Sequence, residues 1–251
     1  MMKILVCLKQ VPDTESKIKI AVDAKQIDTQ EIKWITSPYD EYAIEEALRI
    51  KERMTATVTT ISVGEDRAKD MLRNSLALGA DEAVLLKTSG PQDDPLGVAE
   101  VLVDFIKENA FDLILLGNKG SGGDHASVGP MLAGLLGLPH ANVVIKLEIE
   151  ENRFLAHRQI ESGIEVVEGT LPAVITTQKG LNEPRYANLK GIMAAKKKEI
   201  TEKECSSPVS ATQWEHLTLP PPRLEGRRLE GTPQEQARLL IQALQNEAKI
   251  F

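Results

Sequence analysis

The first 150 residues alternate short apolar runs with longer stretches in which apolar residues recur every three or four positions. The short runs predict β-strands, and the longer period predicts amphipathic helices. Alternation of the two is typical of a parallel sheet whose strands are joined by crossover helices. We therefore expect an α/β fold with an open parallel sheet. The predicted strands are 3–8, 56–63, 82–87, 112–117 and 143–148.

The helical stretches carry start and stop signals of their own. Asp94-Pro95 predicts a cap and a first-turn proline for a helix over 98–108. Ser37-Pro38-Tyr39-Asp40 is typical of a capping box at the start of one helix. Gly79 predicts the end of another helix, the one that holds Met71, Leu72 and Leu76. A further helix over 126–136 is expected to face the sheet with Val128, Met131, Leu132, Leu135 and Leu136.

The pattern changes after about residue 150. Strand-like segments at 154–160, 164–168 and 172–177 lack long helices between them, which predicts an antiparallel ribbon at the edge of the domain. Residues 201–233 are polar and proline-rich and cannot build a core. Thr232-Pro233-Gln234-Glu235 then predicts the start of a terminal amphipathic helix. We expect an α/β domain over 1–204, and an arm and helix over 205–251 that pack on a partner subunit.

Composition narrows the functional classes. With 30 basic and 37 acidic residues, the formal charge of −7 argues against a nucleic-acid-binding protein. Two cysteines exclude a disulfide framework, and the four histidines lack metal-ligand spacing, so we expect no metal. The first apolar run is too short for a signal segment or a membrane span. We expect a cytoplasmic protein without membrane insertion.

A glycine-rich segment follows the strand predicted at 112–117. Glycines let main-chain N–H groups approach an anion closely, and the next helix, expected from His125 or Ala126, adds unpaired N–H groups and a partial positive charge. The segment predicts a phosphate site, with a flexible strand-to-helix loop as the competing interpretation. It matches neither a Walker loop nor a Gly-x-Gly-x-x-Gly motif. Its residues are Gly117, Asn118, Lys119, Gly120, Ser121, Gly122, Gly123 and Asp124.

Other predicted strands end at the same edge, where open parallel sheets bind their ligands. These ends are Cys7 to Lys9 and Val63-Gly64, with Ser37 to Asp40 capping a helix beside them. Main-chain groups at such ends can contact an adenine edge without special side chains. We interpret Cys7 as a packed residue rather than a nucleophile. No nucleophile–base pair is evident, so we predict no catalytic side chains and no enzyme activity for the chain alone.

The most specific motif is Leu181-Asn182-Glu183-Pro184-Arg185-Tyr186-Ala187-Asn188-Leu189, followed by Gly191-Ile192-Met193-Ala194-Ala195-Lys196-Lys197-Lys198. It is accompanied by the segments 9–13, 37–48, 78–81, 112–117 and 171–174, and by Arg158 with Glu165. Together these resemble the electron transfer flavoprotein beta family over residues 3–204.

The resemblance implies a Rossmann-like fold of the adenine nucleotide alpha hydrolase type and a heterodimer whose alpha subunit carries the redox-active FAD. The beta subunit would hold AMP as a structural ligand. Electrons would pass from acyl-CoA-type dehydrogenases of fatty acid beta-oxidation to that FAD, and then to an electron transfer flavoprotein quinone oxidoreductase. By motif position, the implied AMP contacts are Cys7, Ser37, Pro38, Tyr39, Asp40, Val63, residues 117–124 as named above, His125, Ala126, Ser127 and Val128.

The resemblance also implies a recognition loop at about 181–198, in which Leu189 would enter an apolar pocket of a dehydrogenase. One such leucine supplies about 2 kcal/mol, enough for a transient complex. The competing interpretation is that Leu189 starts a helix over 189–198 and is buried in this chain. Residues 196–198 are either a solvated helix end or a weak steering patch. The implied docking residues are Pro184, Arg185, Tyr186, Leu189, Ile192 and Met193.

Some features depart from the family pattern. The loop after the strand at 112–117 usually reads Gly-Lys/Arg-Gln-Ala-Ile-Asp, so only its main-chain contacts carry over. Gln159 follows Arg158 where many relatives have glutamate, so a charge partnership placed at that glutamate does not carry over either.

Three other functions compete with this one. Residues 9–13 and 123–130 also resemble bifurcating members of the family, in which a second FAD in the beta site accepts a hydride from NADH, whereas residues 37–41 favour AMP. A stress-protein-like ATP-binding module would end near residue 150 as a homodimer. A nucleotide-dependent ligase would need a pyrophosphate loop directly after the first strand.

Overall fold

The computed structural model describes residues 1–88, 94–205, 211–212, 214–223 and 225–250. These residues form two compact units, Met1–His216 and Leu217–Phe251. The strands are β1 (Met2–Cys7), β2 (Gln10–Pro12), β3 (Trp34–Thr36), β4 (Ala56–Gly64), β5 (Glu82–Lys87), β6 (Leu113–Gly117), β7 (His140–Glu150), β8 (Arg153–Ile160), β9 (Gly163–Thr170), β10 (Ala173–Thr177) and β11 (Thr201–Glu204). The helices are α1 (Pro38–Arg53), α2 (Ala68–Leu78), α3 (Pro95–Asn109), α4 (Val128–Leu136), α5 (Leu189–Ala195) and α6 (Pro233–Asn246).

Nine strands form one sheet in the order β11-β5-β4-β1-β6-β10-β7-β8-β9. The strands from β11 to β7 pair in parallel, and β7, β8 and β9 pair antiparallel at one edge. This confirms the predicted α/β fold and an antiparallel ribbon at one edge that contains the segments 154–160 and 164–168. Assigning 172–177 to that ribbon was wrong, because β10 is a buried strand that pairs in parallel with β6 and β7 inside the sheet. The sequence pattern missed β11 and the separate β2–β3 pair, because strands of three or four residues are too short to show a period.

The core lies on both faces of the sheet. Ile4 and Leu115 pack with α1 and α2 on one face, while Leu5 and Ile114 pack with α3 and α4 on the other. The central strands are therefore buried on both sides, which explains why they read as continuous apolar runs rather than alternating ones.

Two of the predicted helix signals are confirmed in the first unit. Asp94 caps α3, because its carboxylate accepts from the Leu96 N–H at 3.1 Å. Gly79 ends α2 with a positive φ of 128°.

The predicted capping box at the start of α1 is wrong. The Ser37 side chain makes no cap hydrogen bond, and its hydroxyl donates instead to the Lys119 carbonyl at 3.3 Å. The Asp40 carboxylate accepts from the main-chain N–H groups of Lys9 and Gly117, which follow and end two strands.

The helix predicted over 126–136 begins two residues later, at Val128. Ala126 has a left-handed φ of 50°, which is incompatible with a helical start. Leu135 is exposed rather than facing the sheet, so the apolar face of α4 is narrower than predicted.

The second unit carries α6. Thr232 and Glu235 form the predicted capping box, in which the Glu235 N–H donates to the Thr232 hydroxyl at 3.4 Å and the Thr232 N–H donates to the Glu235 carboxylate at 2.8 Å. Leu240 and Ile241 of this helix are exposed within the described residues. In the described ranges no helix has the length and hydropathy needed to cross a bilayer.

Candidate functional site

The strand order reverses at β1. From β1 the chain builds β4 and β5 on one side and then crosses to β6 on the other. Ligands of open α/β sheets bind in the crevice outside the strand ends at such a reversal. Here the crevice lies between the ends of β1 and β6, where Cys7 is paired with Leu116.

Asp40 joins these two strand ends. Its carboxylate accepts from the Lys9 N–H at 2.6 Å, just beyond β1, and from the Gly117 N–H at 2.8 Å, at the end of β6. Burial raises the pKa of Asp40 to about 7, against the lowering effect of the two N–H donors. The first turn of α1 is thereby fixed to both sides of the crevice.

Gly117 is required by this arrangement. A Cβ at this position would lie 2.5 Å from Asp40 Oδ1 and 2.7 Å from the main-chain carbon of Tyr39. The strand end can approach α1 this closely only without a side chain.

The loop from Gly117 to Val128 turns sharply. Gly122, Asp124 and Ala126 have φ values of 105°, 48° and 50°, and the Asp124 N–H donates to the Gly120 carbonyl at 3.1 Å. Within the parts of the chain that the structure describes, no protein group accepts from the main-chain N–H groups of residues 119–123 or 125–129. Unpaired amides beside the start of a helix are the arrangement that binds phosphate.

Two lysines contribute positive charge at this loop. The Lys119 ammonium lies 2.6 Å from the Asp124 carboxylate and 5.6 Å from the centre of the Tyr39 ring. The side chain of Lys9 runs beside Gly120, where a Cβ would lie 2.9 Å from Lys9 Cδ. The loop therefore offers both main-chain donors and cationic side chains to an anion.

The other predicted site residues line the same edge. Cys7 is buried, and burial, with the nearby Asp40 carboxylate, raises the pKa of its thiol well above the ordinary value. The prediction that Cys7 is a packed residue is confirmed. Val63 is half-buried near the end of β4, and the Asn118 N–H donates to the Thr177 carbonyl at 2.9 Å. The Ser127 hydroxyl donates to the His125 carbonyl at 2.6 Å.

Sequence reasoning missed two threonines at the end of β10. Thr177 pairs with Gly117, and its hydroxyl donates to the Tyr39 carbonyl at 3.0 Å. The methyl group of Thr176 lies 2.4 Å from where a Cβ on Gly129 would stand, so the first turn of α4 rests on this strand. Placing the end of 172–177 beside the end of 112–117 would have found both residues.

The segment from Leu181 to Leu189 is held against α1. Arg185 bridges Glu45 at 2.7 Å and Glu52 at 2.6 Å. The Asn182 amide donates to the Tyr42 carbonyl at 3.0 Å. Burial alone would raise the pKa of Glu45, but hydrogen bonds from Arg185 and Arg49 hold it below its ordinary value. Arg185 is thus an anchor for the loop, with one-third of its side chain exposed.

The helix that follows packs on α2. A Cβ on Gly191 would lie 2.2 Å from the Ala77 carbonyl oxygen, and the Arg73 guanidinium donates to the Ala195 carbonyl at 2.7 Å. The helix ends at Ala195, earlier than the predicted 198. The Lys198 ammonium donates to the Ala80 carbonyl at 2.6 Å, so this lysine is neither a solvated helix end nor a steering charge.

An apolar surface faces outward from this anchored segment. Tyr186 is 97% exposed and Leu189 is 77% exposed, and Ile192 and Met193 beside them are also exposed. The alternative in which Leu189 is buried within the chain is therefore wrong. Pro184 is half-buried at the base of the loop. We call Tyr186, Leu189, Ile192 and Met193 the apolar docking surface.

Comparisons with known proteins agree with this architecture. The model of the electron transfer flavoprotein domain matches residues 25–208. The electron transfer flavoprotein subunit beta of Bacillus subtilis is 41% identical over the full length of both chains. That of Syntrophomonas wolfei is 36% identical over 99% of this chain and 98% of its own. That of Bradyrhizobium diazoefficiens is 41% identical over 80% of this chain and 81% of its own.

Proposed function

The chain belongs to the electron transfer flavoprotein family as a beta subunit, and from this we propose that it holds AMP at the crevice between β1 and β6 and docks dehydrogenases for its FAD-carrying alpha subunit. Membership in the family supports an electron transfer role within a heterodimer. The ligand, the dehydrogenase and the acceptor are the further parts of the proposal.

The observation that carries the nucleotide proposal is the row of unpaired amides in residues 119–123 and 125–129. A phosphate would accept from these N–H groups at the start of α4, with Lys9 and Lys119 balancing its charge. The adenine would lie toward Cys7, Ser37 to Asp40 and Val63, where main-chain atoms line the strand ends. Asp40 would act indirectly, by holding the two strand ends in register.

The chain itself would supply no acid, base or nucleophile. The FAD of the alpha subunit, when bound, supplies the redox chemistry. The residues of this chain bind and orient: they hold the nucleotide, support the alpha subunit and bring a dehydrogenase within range. The onward acceptor would be an electron transfer flavoprotein quinone oxidoreductase, and the donors acyl-CoA-type dehydrogenases of fatty acid beta-oxidation in the cytoplasm.

The apolar docking surface supports the dehydrogenase part of the proposal. Leu189 and Tyr186 are exposed although the segment that carries them is fixed by Arg185 and Gly191. A rigid segment presenting an uncovered leucine loses little conformational entropy when it binds, which suits a partner that must bind and leave quickly.

Counting the bound ligands tests the proposal. The heterodimer is purified without added nucleotide and denatured, and the released FAD and AMP are quantified by chromatography. We expect one FAD and one AMP per heterodimer. Two FAD and no AMP would overturn the AMP assignment in favour of a bifurcating protein. One FAD with no second nucleotide would overturn the nucleotide site itself.

A further inference from the structure

Three residues of the C-terminal arm, Ala211, Thr212 and Trp214, contact Asp94 or the glycine loop. Asp94 follows β5 in the chain and caps α3 with one carboxylate oxygen. Its other oxygen, Oδ2, accepts from the Ala211 N–H at 2.5 Å and the Thr212 N–H at 3.3 Å. Burial alone would raise the pKa of Asp94, but these donors, the Leu96 N–H and the charge of His125 hold it below its ordinary value. An ionised, buried carboxylate thus sets the position of residues 211–212.

Two residues further on, Trp214 lies against the glycine loop. Its indole is nearly parallel to the His125 imidazole, with ring centres 6.5 Å apart and planes inclined by 25°. His125 stands between the left-handed residues Asp124 and Ala126, next to the unpaired amides of residues 125–129. Trp214 therefore lies beside the part of the loop whose unpaired main-chain N–H groups can donate to a phosphate.

Trp214 is not part of the hydrophobic core. It remains 47% exposed, and the hydrophobic clusters of the described core do not include it. An indole beside a phosphate-binding loop is well suited to a planar ring carried on that phosphate, because any base or flavin presents a π-face to an aromatic side chain. The hydrogen bonds of residues 211 and 212 to Asp94 and the ring contact with His125 position the indole without a ligand.

We infer that Trp214 is a ligand-contacting residue of the nucleotide site, which stacks on a planar ring of the bound nucleotide and forms an outer wall of the site. The inference rests on the proposed nucleotide function and extends it to a residue outside the loops at the strand ends. Adenine of AMP and the flavin of FAD share the required chemistry, and the two sources are separated by the titrations below.

Fluorescence of Trp214 provides the first test. Trp34 and Trp214 are the two tryptophans of the chain, so Trp34→Phe leaves Trp214 as its sole indole. The heterodimer with this variant is stripped of its beta-site nucleotide and titrated separately with AMP and with FAD, and binding is measured in parallel by equilibrium dialysis. The emission change of Trp214 should saturate with the bound fraction. A response to AMP, with or without a response to FAD, assigns the ring to adenine, and a response to FAD alone assigns it to the flavin.

Affinity provides the second test. Trp214→Ala should weaken binding of the responding ligand by at least about fivefold, the lower range expected for loss of one stacking contact. Glu215→Ala, at the exposed neighbouring position, should leave the affinity unchanged. Nucleotide binding with silent Trp214 fluorescence and unchanged affinity in Trp214→Ala would overturn the inference while the proposed function stands. Absence of any AMP or FAD binding would remove both proposals.

Discussion

At pH 5, replacing Asp40 with alanine should lower the free energy of unfolding by about 3–5 kcal/mol, because two N–H groups would lose a buried acceptor at a cost of about 1–3 kcal/mol each and a cavity would remain. The donors are Lys9 and Gly117, 2.6 and 2.8 Å from the carboxylate. Urea denaturation of the heterodimer monitored by circular dichroism measures the loss. AMP affinity should fall with it, since the strand ends would no longer be held together.

The matched control is Asp124→Ala, on the glycine loop. Asp124 is an exposed carboxylate whose ion pair with Lys119 is worth less than about 1 kcal/mol. Equal destabilisation by the two substitutions would contradict the role given to Asp40.

The pH dependence of the Asp40→Ala effect gives a second readout. The pKa of Asp40 is raised from 3.8 to about 7 in the folded chain. Between these two pH values the Asp40 carboxyl is protonated in the folded state and ionised in the unfolded state. The stability that this proton contributes is fully present below pH 4 and is lost as pH rises through 7, with a slope of at most about 1.4 kcal/mol per pH unit. The difference in the free energy of unfolding between wild type and Asp40→Ala should therefore become smaller from pH 5 to pH 8.

Replacing Leu189 with alanine should reduce kcat/KM for electron transfer from a reduced acyl-CoA dehydrogenase by about 30-fold, which corresponds to the roughly 2 kcal/mol of one leucine buried at an interface. Leu189 is exposed on an anchored segment, so its loss should change the free energy of unfolding by less than about 0.5 kcal/mol. Stopped-flow reduction of the heterodimer by the dehydrogenase measures the rate.

Val22→Ala is the control for this substitution. Val22 is also a fully exposed aliphatic residue, but it lies far along the chain from the apolar docking surface. It should leave the rate unchanged. A Leu189→Ala protein that accepts electrons as fast as wild type would rule out docking through this leucine.

The strands that position the site were predictable because they are buried on both faces and read as continuous apolar runs. The glycine loop was predictable for a related reason: a phosphate site made of main-chain amides needs glycines after a strand and before a helix, and both signals are local. The edge ribbon was predicted only in part: 154–160 and 164–168 belong to it, but the absence of a helix before 172–177 gave no sign that this segment returns to the middle of the sheet as β10.

Asp40 shows where local reasoning fails. Its spacing from Ser37 matches a capping box, and nothing nearby in the sequence indicates that its carboxylate accepts from the main-chain N–H groups of Lys9 and Gly117, the second of them 77 positions away. These two tertiary hydrogen bonds determine the position of the Asp40 carboxylate. Trp214 was missed for a different reason, since it lies in a polar, proline-rich stretch without periodicity, where only the three-dimensional contact with His125 reveals it.

Amide hydrogen exchange of the heterodimer, with and without AMP, shows whether main-chain N–H groups of the glycine loop bind the nucleotide. Peptides covering residues 117–129 should exchange more slowly when AMP is bound, while peptides covering the ribbon strands β8 and β9 should not change. AMP bound according to dialysis, with no slowing of exchange in residues 117–129, would contradict the account.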